Sequence, residues 1–129
     1  MNERGAVSTF LAVIALALLM AAGLAIDGGR KVNALREASH LADNAARAGA
    51  QAVDLDTLRT TSDLQLHADQ AARQVDEYLT SLGYTAAEVT VTGDRVTVTV
   101  ALTVDPVLLP TGPITVTATE TAAAITQEP

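Results

Sequence analysis

Three hydrophobic patterns follow one another along this chain, and each predicts a different kind of element. From Gly5 to Ile26 the sequence reads GAVSTFLAVIALALLMAAGLAI, twenty-two residues without a charge. At 1.5 Å per residue such a helix is roughly 33 Å long, enough to cross the hydrocarbon core of a bilayer. Ten of these residues are Leu, Ile, Val or Phe, each favouring insertion by about 0.3–0.6 kcal/mol. A helix that is apolar on every side needs lipid or a large protein around it, and the rest of this 129-residue chain has too little apolar surface to wrap one. The run therefore predicts a membrane span. A cleaved secretory leader is the competing reading, since Gly23-Leu24-Ala25 is an acceptable small-x-small cleavage site. Against it, the run exceeds the roughly 7–15 apolar residues of a usual leader.

The second pattern begins after Asp27-Gly28-Gly29-Arg30, where two glycines, each costing about 1 kcal/mol in a helix relative to Ala, mark a candidate hinge. Leu35, Ala38, Ala42, Ala45, Gly49 and Ala52 then recur at alternating spacings of three and four. This is a helical stripe of mostly small side chains that permits close approach, either to the chain's own domain or to a neighbouring subunit. Asp54 to Thr61 reads as a polar connector. Ser62 with Gln65 then forms a capping-box pattern opening a second helix, whose apolar face is Leu64, Ala68, Ala71, Ala72, Val75, Leu79 and Leu82, with Gly83 as its stop.

The third pattern has period two. Val89 and Val91 are followed by a Gly93-Asp94 turn and then by Val96, Val98, Val100, Leu102 and Val104. After a Pro-interrupted loop from Asp105 to Pro113, the alternation resumes at Ile114, Val116 and Ala118. Thr residues occupy the alternate positions, which suits the solvated face of an antiparallel sheet. The expected fold class is α+β: a long N-terminal transmembrane helix continuing into an amphipathic helix, then a second helix packed on an antiparallel sheet of about three strands. The corresponding segments are a transmembrane anchor over 1–27, a juxtamembrane amphipathic helix over 28–53 and a small acidic α+β domain over 54–129.

Composition narrows the function classes. There is no cysteine, which removes disulfides and Cys-based zinc sites, and the aromatics are limited to Phe10, Tyr78 and Tyr84. Residues 1–53 carry a net charge of +1 and residues 54–129 a net charge of −8. An acidic distal half lacks the basic face that phosphate neutralisation needs, so nucleic-acid binding is not expected. His40 and His67 lack the spacing of a metal pair. Asp54-Leu55-Asp56 opens like a calcium loop but has Leu58 where a third oxygen ligand belongs. Neither a nucleophile elbow nor a phosphate-binding glycine loop occurs. No catalytic residue, metal site, cofactor or small-molecule substrate is expected. Asp27 and Arg30 have the spacing of an i, i+3 pair. Val107-Leu108-Leu109, between Pro106 and Pro110, reads either as a partner-binding loop or as a segment tucked under the sheet.

Arg4-Gly5-Ala6-Val7, the apolar run, Asp27-Gly28-Gly29-Arg30, and Leu41-Ala42-Asp43-Asn44-Ala45-Ala46-Arg47-Ala48-Gly49-Ala50 stand in that order. Together they resemble the N-terminal region of TadE/TadG-like proteins of Flp (tight-adherence) pilus assembly. The resemblance covers about residues 4–53. It implies a pilin-like minor component or assembly factor whose partners are the membrane and other pilin-like or pilus-assembly subunits. Some such proteins are cut by a prepilin peptidase after a Gly, and Arg4, Gly5 and Ala6 would surround the matching bond. The Glu that a conventional prepilin carries five residues into the mature chain is Phe10 here, a departure that suits the TadG-like branch. Flanking charge favours a cytoplasmic C-terminus, since Arg30, Lys31 and Arg36 outnumber Arg4. The resemblance implies the opposite, a single-pass protein of the bacterial cytoplasmic membrane with its N-terminus cytoplasmic and its C-terminal domain outside, with the cell surface as the alternative location.

Overall fold

The computed structural model describes residues 3–57 and 64–124, with side chains described over 5–52 and 68–124. A single helix, α1 (Glu3–Thr57), carries both the apolar run and the small-residue stripe over 55 residues. That is a rod of roughly 80 Å. It passes through Gly28 and Gly29 without interruption, because helix propagation is cooperative and long helical stretches on both sides offset two glycines. It also takes in Asp54 to Thr57, the start of the expected connector. The capping-box residue Ser62 lies outside the described residues.

The second helix, α2 (Leu64–Ser81), ends in a Schellman arrangement. The N–H of Tyr84 donates to Leu79 O at 2.8 Å and that of Gly83 to Thr80 O at 3.0 Å. The φ of +83° at Gly83 is the left-handed conformation this cap requires. Three strands follow: β1 (Ala86–Thr92), β2 (Arg95–Val104) and β3 (Ile114–Ala123), antiparallel in the order β1-β2-β3. The first turn is the expected one, with Thr92 paired to Arg95 around Gly93 and Asp94.

Register puts the valines inside. Val89 and Val91 pair with Val98 and Val96, and Val100 and Leu102 with Ala118 and Val116. Threonines line the opposite face, where the Thr97–Thr121 and Thr99–Thr119 hydroxyls are hydrogen-bonded across the strands at 2.9 Å each. The expected helix on the sheet is present, but most of the sheet's cover comes from elsewhere. Strands β2 and β3 lie on the second half of α1, and β1 borders α2. Ala38, Ala42, Ala45, Ala46 and Ala50 of α1 are buried against Ala71, Val75 and Leu79 of α2 and Val96, Val98 and Val100 of β2. With alanines on the central helix, two layers can approach it at once, and aliphatic side chains fill the core without a fully buried aromatic.

Candidate functional site

The two halves of α1 have opposite surroundings. From Val7 to Ile26 every Leu, Ile, Val, Phe and Met is at least 40 % exposed. The most apolar window reaches a mean hydropathy of 2.6 and is almost entirely uncovered by protein. From Ala34 to Ala52 the helix is the centre of the folded domain. The chain thus carries a bare apolar rod continuous with a small domain, and polar groups of helix and loop meet at the junction between them.

At that junction the loop after β2 returns to α1. The Asp27 carboxylate accepts the backbone N–H of Val107 at 2.8 Å on one oxygen, and those of Leu108 at 3.1 Å and Leu109 at 2.8 Å on the other. One turn further along, Arg30 Nη1 donates to the Asp105 carbonyl at 3.1 Å. On the other side, a Cβ at Gly23 would stand 3.2 Å from Leu108 Cβ, so the absent side chain at Gly23 is what lets the loop lie close to the helix. Asp27 is itself buried. The i, i+3 neighbours Asp27 and Arg30 thus both direct their hydrogen bonds to the loop, while the Arg30 charge still acts on the Asp27 carboxylate. A carboxylate with two acceptor oxygens can close a turn of three consecutive N–H donors, whereas a guanidinium suits carbonyls.

The same loop was expected either to bind a partner or to tuck under the sheet. It does not lie under the sheet, but against α1 between Gly23 and Arg30, with Leu109 half-buried and Val107 and Leu108 exposed. Beside it, Arg30, Asn33, Ala34, Glu37, Thr103, Val104 and Asp105 line an open, mainly polar cleft. Glu37 on that lining accepts the Tyr84 hydroxyl at Oε1, at 2.6 Å. That bond and the carboxylate's negative charge hold the Tyr84 phenol above its ordinary pKa, because ionising it would lose the hydrogen bond and place two anions together. No group of three or more metal-ligating side chains occurs among the described residues.

Of the residues singled out in sequence, Gly5 and Ala6 sit on the exposed helix, and the Gly5 carbonyl accepts a 2.9 Å hydrogen bond from Thr9 Oγ1. The side chains of Arg4 and His67, and those of the Asp54-Leu55-Asp56 segment, fall outside the described residues. His40 is exposed. Gly28 and Gly29 have no side-chain neighbour that a Cβ would meet. In the small-residue stripe, Ala38, Ala42, Ala45, Gly49 and Ala52 are buried within the chain's own domain. Leu35 departs from that pattern at 46 % exposed, and Ala34 is buried in its place. The buried sector is wider than one stripe because the sheet and α2 flank α1 on two sides, which takes in Leu41, Ala46 and Ala50 as well.

Two contacts were not foreseen. Glu120 stands on the inner row of β3 and accepts a 2.5 Å hydrogen bond from Ser39 Oγ. Gly23, read in sequence only as part of a cleavage motif, is the seat of Leu108. The foreseeable element of this site was the acidic residue itself, since a carboxylate ending an apolar helix has to find donors. No curated protein and no solved structure significantly matches the chain. Residues 5–52 match the family described as "Putative Flp pilus-assembly TadE/G-like", so the bare apolar rod, the Asp27 junction and the packed half of α1 together form a TadE/G-like segment, which supports a Flp/Tad pilus-associated component.

Proposed function

We propose that this protein is a membrane-anchored, pilin-like structural subunit, a minor pilin or assembly component, of a Flp/Tad-type pilus or a related secretion apparatus. The observation that carries this reading is the coincidence of the TadE/G-like match over residues 5–52 with a helix whose first half is apolar and uncovered and whose second half is the core of a domain. In this reading residues 1–27 are the anchor, with the N-terminus cytoplasmic. Residues 28–53 join anchor to domain, and residues 54–129 complete the acidic domain on the extracytoplasmic side.

A bare helix of about 33 Å finds lipid, or the like helices of other subunits, as its environment. The continuity of α1 then passes any lateral position taken by the anchor directly to the domain. The buried stripe supports a division of labour: residues 34–52 hold the domain together, and contacts with other subunits fall to the apolar half and to the domain surface. The role assigned here is structural, with no reaction ascribed to the chain.

The discriminating experiment is the intact mass of the chain isolated from cells that assemble the pilus, combined with site-specific crosslinking from the exposed face of α1. Mature chains beginning at Met1 or Ala6 that crosslink to pilus-assembly proteins fit the proposal, and the second start adds prepilin-type cleavage at Gly5. A mature chain beginning at Ile26 recovered in the soluble fraction would instead establish a secreted binding module. A chain that stays in the membrane but never contacts pilus components would sink the pilus assignment. Labelling Thr119→Cys in intact cells with an impermeant maleimide reads the orientation, because Thr119 lies on the solvent face of β3.

A further inference from the structure

The apolar run ends at Ile26, yet the distal domain reaches back past that point. Leu108 packs against Gly23, three residues inside the end of the run and so roughly 4.5 Å along the helix axis. Any bilayer that covers Gly5 to Ile26 therefore also covers the level at which Leu108 sits. Although Leu108 rests on Gly23, Val107 and Leu108 stay 62 % and 54 % exposed, as do Leu24 at 65 % and Ile26 at 50 % on the helix that the loop lies against.

Irregular backbone is excluded from lipid unless its polar groups are satisfied by protein. The donor side of that condition is met by one residue: the N–H groups of Val107, Leu108 and Leu109 all end on the Asp27 carboxylate, and the Leu109 carbonyl accepts the Thr111 N–H at 2.9 Å. The next turn of α1 carries Arg30, bonded to Asp105 O, at the height where a cationic side chain reaches headgroups. Apolar tips below, satisfied N–H groups at the boundary and a cation above reproduce the polarity gradient of a membrane interface.

Resting on the membrane-anchor reading above, we infer that the Val107–Leu109 loop is a second membrane contact, with Val107 and Leu108 inserted among acyl chains of the leaflet at the C-terminal end of the span and Asp27 serving as the internal acceptor that lets the loop enter. The occupant of this apolar surface is lipid, since the surface is continuous with the apolar face of the span itself. Two attachment points, helix and loop, fix how the domain is tilted and rotated on the membrane, which a single helix leaves free.

The chain has no cysteine, so single-cysteine labelling is unambiguous. The full chain is reconstituted in phosphatidylcholine–phosphatidylglycerol vesicles with an environment-sensitive fluorophore at Val107→Cys, Leu108→Cys, Leu16→Cys or Thr119→Cys. The expected result is blue-shifted emission, quenched by chain-labelled lipid and insensitive to aqueous iodide, at the first three positions, with the reverse at Thr119→Cys. A lipid-quenched Leu16→Cys alongside an iodide-quenched Leu108→Cys overturns the loop insertion and leaves the anchor intact. A water-exposed Leu16→Cys overturns both. A Leu108→Cys probe shielded from both quenchers overturns lipid as the occupant in favour of a second protein. Adding Asp27→Ala to Leu108→Cys is expected to move the probe from lipid to water, and undiminished lipid quenching in that variant would overturn the role given to Asp27.

Discussion

Gly49 of α1 and Val75 of α2 are so close that a Cβ built on the glycine would stand 2.8 Å from Val75 Cγ2. The same Cβ would meet Val96 Cγ1 of β2 at 3.0 Å and the Ala71 carbonyl at 3.3 Å. Helix, helix and sheet therefore converge on one missing side chain. Two of the three obstacles are stiff β-branched side chains and the third is backbone, so none gives way readily. Gly49→Ala would gain about 1 kcal/mol of helix propensity, against roughly 1–3 kcal/mol for overpacking a filled core. The overpacking wins. A lower thermal midpoint of the full chain in detergent is expected, and an unchanged or raised midpoint would show that α2 and the sheet can shift apart at no cost.

Asp27 gives a local prediction. Asp27→Ala removes the acceptor of three loop amides while leaving the core untouched. Amide exchange in detergent should accelerate at Val107, Leu108 and Leu109 and stay slow at Val96, Val98 and Val100. Asp27→Asn, which keeps one acceptor oxygen, should fall between the two. Uniform acceleration across the sheet would mean that the loop contact holds the whole domain rather than its own segment.

The pair Ser39 and Glu120 joins α1 to the inner row of β3 through a 2.5 Å hydrogen bond. In a double-mutant cycle of Ser39→Ala and Glu120→Ala, a coupling of about 1.5 kcal/mol is expected, the lower end for a hydrogen bond to a carboxylate because the pair is only part-buried. Additive losses would show that the two side chains stabilise the protein independently.

Tyr84 sets an alkaline limit. Its phenol is held above the ordinary value by the hydrogen bond to Glu37, by that carboxylate's charge and by desolvation. A group whose folded pKa is raised contributes its full stability below the unfolded value, near 10 for tyrosine. That contribution is lost as pH climbs through the folded value. Thermal melts between neutral pH and about pH 11 should therefore show a steeper alkaline fall for the native chain than for Tyr84→Phe. Parallel curves would place the alkaline sensitivity elsewhere.

Much of this architecture was legible in local pattern. The charge-free run, the three-four spacing of small residues, the Gly83 stop and the period-two valines each depend on neighbours within a few positions, and each element appeared with its expected type. The Gly28-Gly29 pair marked a candidate hinge by local propensity, but α1 runs through it because cooperative propagation from both sides offsets two glycines. Leu35 shows a related limit. The spacing rule assigns it to the stripe, but a helix flanked by two layers buries a broad sector, and where that sector ends depends on the angle at which the sheet arrives.

By itself, the sequence determined an apolar helix long enough to span a bilayer, a small-residue face beyond it, three strands with one apolar face, and the family resemblance of the first fifty or so residues. These follow from composition and periodicity, which act over a few residues at a time. Tertiary structure alone decided that the packing face is used within the chain, with α1 as the core of its own domain. It also decided that Asp27 closes on amides some eighty residues away rather than on Arg30. The physical reason is that a carboxylate's choice among donors depends on which backbone groups the fold delivers unpaired to its side, and that delivery depends on the path of the whole chain between them.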